Sequence, residues 1–117
     1  MREERGTLSG EIIVHEPFNL WGSVGGSMRV IQGGKLYVRG AVYGDITVEY
    51  GGRVHIYGNV SGNLTVERGA KVVHSGMIGG DAVNDGGRLF IESMAKIMGK
   101  VKTIAGDTKD DRPVPTD

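Results

Sequence analysis

The side chains with chemistry to offer in this 117-residue chain are three histidines and a recurring set of carboxylates. A histidine works as a general base when it lies within hydrogen-bond reach of the proton it takes. His15 follows a run of alternating apolar residues, His55 has an outward phase, and His74 falls on an inward one. An inward histidine in such a pattern is more often a satisfied core group than a catalytic base. The sequence holds no H-E-x-x-H, no G-x-x-x-x-G-K-[ST] and no readable Ser-His-Asp arrangement. Asp45, Asn63 and Asp81 each follow a glycine at eighteen-residue spacing. Stacked carboxylates bind calcium in nonapeptide solenoids of the G-G-x-G-x-D type. Here one rung is an amide, another is Ser27, and the period is eighteen, not nine. Asp and Asn also suit tight corners on conformational grounds. With no cysteine to supply a thiolate, the expectation is no catalytic residue, no metal, no cofactor and no enzymatic activity.

Three further columns share the period. Lys35, Arg53, Lys71 and Arg88 are basic, whereas Glu49, Glu67 and Asp85 are acidic. Glu49 stands four residues before Arg53, and Glu67 four before Lys71. The expectation is paired surface charges, each pair contributing little. Tyr37, His55, Val73 and Phe90 form an apolar column on an outward phase, with Trp21 and Tyr57 near the same edge. Contiguous exposed apolar patches mark contacts, so these six residues are the candidate interaction strip. Fourteen basic residues balance fourteen acidic ones, which gives no electrostatic case for nucleic acid.

The elements that position these columns follow from internal repetition. Four units align: GSVGGSMRVIQGGKLYVR (22–39), GAVYGDITVEYGGRVHIY (40–57), GNVSGNLTVERGAKVVHS (58–75) and GMIGGDAVNDGGRLFIES (76–93), the last one residue short in its Gly-Gly turn. Ile12, Phe18, Val24, Val30, Leu36, Val42, Val48, Val54, Val60, Val66, Val72 and Ile78 keep a strict six-residue beat that Asn84 breaks. Hydrophobic residues are only 38% of the chain, so twelve filled slots in succession are not a product of composition. Alternation around each beat has period two, which is strand, and the stretches end in Gly, Asn or Asp, which accept corners. Three strands and three corners per eighteen residues specify an all-β, single-domain, triangular parallel β-solenoid. The beat of six suits left-handed hexapeptide solenoids. The extra inward position in Leu36-x-Val38 and Val54-x-Ile56, with the paired glycines, favours the right-handed kind.

Units such as GAVYGDITVEYGGRVHIYGNVSGNLTVERGAKV resemble the bactofilins, polymer-forming bacterial cytoskeletal proteins with a short right-handed β-helix of G-x-V-x-G-[DN]-[IL]-x-V units. The resemblance covers about residues 6–104. It implies end-to-end polymerisation without nucleotide, through the terminal coils, and a scaffolding role. The start, MREERG, lacks the apolar membrane-targeting segment of some members, which argues against membrane attachment. It also lacks the apolar core of a signal peptide, so a cytoplasmic location is expected.

The expected organisation is a tail over 1–5, a solenoid of about six coils over 6–106, and a disordered tail over 107–117. Terminal coils present unpaired strand edges. Phe18 and Leu20 at one end, with Ile97, Val101 and Ile104 at the other, are therefore the candidate assembly residues. The partner expected is a second copy of the chain, with a protein partner also open. Two other functions compete with self-assembly. One is a small binding module of inhibitor or immunity type that uses the aromatic strip. The other, more remote, is a hexapeptide-type acyltransferase, for which residues 22–83 provide almost no inserted loop.

Overall fold

The structure is a computed structural model and describes residues 1–114. Among these all regular structure is strand, wound as a parallel β-solenoid of about six turns with about eighteen residues per turn. No helix among them is long and apolar enough to cross a membrane. The first face stacks Arg2–Glu4, Pro17–Leu20, Lys35–Val38, Arg53–Ile56, Lys71–His74 and the second half of Ala82–Ile91. The second face stacks Thr7–Leu8, Ser23–Val24, Ala41–Val42, Asn59–Val60, Met77–Ile78 and Lys96–Ile97. The third stacks Ile12–Val14, Met28–Val30, Ile46–Val48, Leu64–Glu67, the first half of Ala82–Ile91 and the start of Val101–Asp110. Principal extents are 43 × 27 × 20 Å.

Register follows the eighteen-residue period. Ile46 pairs with Leu64 and Val48 with Val66, and Leu36, Val54, Val72 and Leu89 form one inward column. Of the twelve residues on the six-residue beat, Ile12 is partly buried and the other eleven lie in the core. Each face turns alternate residues inward, and a lumen this narrow takes mainly Val, Ile and Leu, with Phe18 as its one benzene ring and His74 as its one imidazole among the described residues. Full burial of such a side chain contributes about 1.5–3 kcal/mol, so most of the cohesion comes from repetition of one modest contact.

The boundaries differ from expectation at both ends. Arg2–Glu4 is a strand that pairs with Pro17–Leu20, setting Arg2 against Phe18 and Glu4 against Leu20. Phe18 and Leu20 are consequently 1% and 0% exposed. They are core residues and present no end surface. The Arg2 guanidinium lies 4.6 Å from the Phe18 ring centroid and covers it. At the other end Val101–Asp110 runs past residue 106, and Asp107 to Asp110 add a rung above Arg88 to Ile91. Residues 115–117 of the expected tail lie outside the described residues.

His74 needs no slip of register to point inward. It stacks between Ile56 and Ile91 and is fully buried. Its Nε2 donates to the Lys96 carbonyl at 2.9 Å, while Nδ1 has no partner among the described residues. Burial lowers its pKa, so the unfolded chain takes up a proton that the folded chain refuses. Stability is thus full above about pH 6.5, the ordinary histidine value, and falls as the pH drops from there towards the folded value. The half-buried His55 is lowered for the same reason. His74→Leu is expected to raise the urea midpoint by about 1 kcal/mol equivalent and to reduce, without abolishing, the loss between pH 7 and pH 5. A pH slope unchanged in the variant would remove His74 as its source.

Candidate interaction surface

The apolar column is real and lies on the first face. Tyr37, His55, Val73 and Phe90 are successive register partners, each half-buried. Trp21 and Tyr57, at the corner beside them, are 42% and 43% exposed. Sequence reasoning missed Arg39, which organises this edge. Its guanidinium carbon lies 4.9 Å from the Trp21 ring, 4.7 Å from Tyr57 and 5.6 Å from Tyr37. Arg5 stands 5.0 Å from the Trp21 ring. The result is a ladder of alternating cations and rings, each contact contributing about 0.5–1 kcal/mol at an exposed site. The signal was present, because residues 21, 39 and 57 share the eighteen-residue spacing. His55 stacks on Tyr57 with centroids 3.9 Å apart and hydrogen-bonds through Nε2 with Ser75 Oγ at 3.0 Å. The strip is therefore a built surface of rings held by cations, not a bare apolar stripe.

The basic column borders it. Lys35, Arg53, Lys71 and Arg88 are register partners and all exposed. The expected pairs from Glu49 to Arg53 and from Glu67 to Lys71 do not form. Among the described residues the ion pairs are Arg5 with Glu3, Arg29 with Glu49, and Arg112 with Asp110. Glu49 turns to Arg29 Nε at 2.9 Å, across the third face. The physical reason is the corner at Gly51 and Gly52, which sends residues 49 and 53 onto different faces. Proximity at a spacing of four belongs to helices. Between the basic column and the rings runs a shallow groove of about 150 Å³, bordered by Lys35, Tyr37, Arg53, His55, Lys71 and Val73.

The corner carboxylates are occupied by the backbone. The Asp45 amide donates to Ser27 Oγ at 2.9 Å, and the Asn63 amide to Asp45 Oδ1 at 2.7 Å. The ladder continues with the Asp81 amide to Asn63 Oδ1 and the Lys100 amide to Asp81 Oδ1, both at 2.8 Å. Each side chain thus satisfies the corner of the next coil, and this accounts for Asp and Asn at these positions. The histidines are dispersed: His15 lies at a corner of the first coil, His55 on the first face and His74 in the lumen.

At the C-terminal end Ile97 and Val101 are partly buried against the core, whereas Ile104 is 70% exposed. Among the described residues Val101–Asp110 and Lys96–Ile97 each pair on one side alone, as do Arg2–Glu4, Thr7–Leu8 and Ile12–Val14 at the opposite end. No protein-family model, curated protein or solved structure matches this chain.

Proposed function

We propose that the protein is a non-enzymatic, self-assembling structural protein of the bactofilin kind, which grows by apposition of its terminal coils. The observation that carries the reading is the pairing of the terminal strands. Among the described residues, every end strand satisfies its backbone on one side and presents the other. An exposed edge of parallel strands is a template for another chain, and the ten-residue Val101–Asp110 is a long one. On the second and third faces the inward apolar column continues to the end through Ile97 and Val101, whereas the first face ends on polar Thr108 and Asp110, so a second copy would extend the backbone ladder and two of the three apolar columns.

Val101→Asp is expected to give monodisperse particles where the parent forms filaments in negative stain, without nucleotide in either case. Because Val101 is partly buried, Ile104→Asp supplies a companion at an exposed site. It should shorten assemblies while the β-type circular dichroism and the urea midpoint stay at parental values. Filaments of parental length in both variants would discard the C-terminal coil as a growth surface. A small species that instead captures a protein, dependent on Tyr37 and Phe90, would move the function to the binding-module alternative.

A further inference from the structure

The charges of the middle coils are sorted by face. Over residues 22–93, Lys35, Arg53, Lys71 and Arg88 lie on the first face and Arg39 borders it, with Glu92 at the same border as its one carboxylate. Asp45, Glu49, Glu67, Asp81 and Asp85 border the third face, with Arg29 as its one cation. The second face has no charged residue between its flanking corners, and Arg68 stands at the corner between the other two. One face thus carries a surplus of four positive charges and another a surplus of four negative ones, on a chain whose formal net charge is zero. Arg29 with Glu49 is the one ion pair among these groups in the described residues. Like charges stacked at the interstrand spacing of roughly 4.8 Å disfavour each other. Beyond the Arg29–Glu49 pair, neither ladder is offset by an ion pair within its own molecule among the described residues.

A partner that offsets both must carry opposite charge at the same step. The third face of another copy does so by construction, since Glu49, Glu67 and Asp85 climb one coil at a time, as Arg53, Lys71 and Arg88 do. The centres of the two faces also suit each other. Half-buried Tyr37, His55 and Val73 line the centre of one, and the smaller half-buried Thr47, Thr65 and Val83 line the centre of the other. We propose that copies of this chain associate side by side, the basic first face of one against the acidic third face of the next. Such a contact is heterologous, leaves a free face at each flank, and so continues into a row or closes as a ring.

The contact is small. Four coils at roughly 4.8 Å by four residues at roughly 3.3 Å cover about 250 Å² per partner, well below the ~800 Å² of a stable interface. It is therefore weak between single rods and sensitive to salt, whose screening length shortens from about 30 Å at 0.01 M to about 8 Å at 0.15 M. End-joined rods would repeat the contact along their length and hold far more firmly, a step that rests on the growth proposed above. The side-by-side contact itself does not.

The test uses two charge-reversed full-length variants, Lys71→Glu with Arg88→Glu and Glu67→Lys with Asp85→Lys, all four being exposed positions. Lateral association is read as assembly width in negative stain and as mass by light scattering, at 0.01 M and 0.15 M salt. The parent is expected to associate laterally at low salt and at least tenfold less at the higher one. Each variant alone should stay one rod wide at both, and their equimolar mixture should regain the parental width. A mixture as inert as its components, or a parental width indifferent to salt, overturns the proposal. So does a parent that stays one rod wide yet binds poly-glutamate, which would assign the basic face to a foreign acidic partner. Failure of end growth reads differently, since it changes length and leaves salt-dependent width intact.

Discussion

Gly58→Ala is expected to lower the urea midpoint by about 3 kcal/mol equivalent, the sum of overpacking at a rigid contact and strained ladder hydrogen bonds. Gly22, Gly40, Gly58 and Gly76 form a column at the corner between the first and second faces, and a methyl group on each would fall inside the carbonyl oxygen of the glycine one coil below. That oxygen has no freedom to retreat. Gly40 O accepts the Asn59 amide at 2.9 Å, and the Gly58 amide itself donates to Val38 O at 2.8 Å. Relief would require the coils to part and would pull on both bonds. Against a total stability of about 5–15 kcal/mol, the loss is large, and a fall in Tm on the order of 10 °C accompanies it. Gly10→Ala separates crowding from backbone conformation. Gly10 has φ +79° and open space where a Cβ would go, so its substitution should cost only the backbone strain, about 1–2 kcal/mol. If the two variants unfold at the same urea concentration, close approach of coils is not what selects glycine at position 58.

The lumen was legible because it obeys one rule many times. An inward slot every six residues demands an apolar side chain, and the chain supplies one from Phe18 to Ile78 without exception. The corners were legible for the same reason, as Asp45, Asn63 and Asp81 recur where a backbone amide needs an acceptor. The terminal rungs were not. A last rung has lumen on one side only, so polar residues suffice at its inward positions: Arg2 and Glu4 at one end, Thr108 and Asp110 at the other. No alternation marks such a strand, and Phe18 and Leu20 consequently read as end residues when they are covered.

The candidate surface was legible as columns and not as pairs. Period places Lys35, Arg53 and Lys71 in one line, and Tyr37, His55 and Val73 in the next. Which carboxylate meets which cation depends on the direction a side chain takes around a corner, and spacing along the chain does not encode that. Arg39 shows the converse. Its position between Trp21 and Tyr57 follows from period alone, once a cation between two rings is recognised as a favourable contact.

Asn84→Val tests where pattern and structure give opposite signs. By pattern the substitution repairs the six-residue beat and should stabilise the lumen. By structure it removes the group that closes a corner one residue short. Glu67 lies opposite both Asp85 and Gly86, and the buried Asn84 side chain spans the resulting bulge. Its Oδ1 accepts the Gly87 amide at 2.9 Å. Its Nδ2, with two hydrogens to donate, has Gly87 O at 3.1 Å, Asp107 O at 2.9 Å and Thr108 Oγ1 at 3.0 Å within reach. Valine would leave the Gly87 amide buried without an acceptor, at about 1–3 kcal/mol, and would release the last rung from its anchor. Added burial of valine offsets only about 1 kcal/mol of this. The expected outcome is a net loss of about 2 kcal/mol in urea denaturation, with the Val101–Asp110 strand first to exchange its amides. Inserting one glycine between Asp85 and Gly86 restores the eighteen-residue turn and gives Gly87 a regular corner. In that background Asn84→Val should stabilise, because the amide would no longer need the side chain. If Asn84→Val stabilises without the insertion as well, the asparagine is a tolerated break in the lumen and the short corner closes by itself.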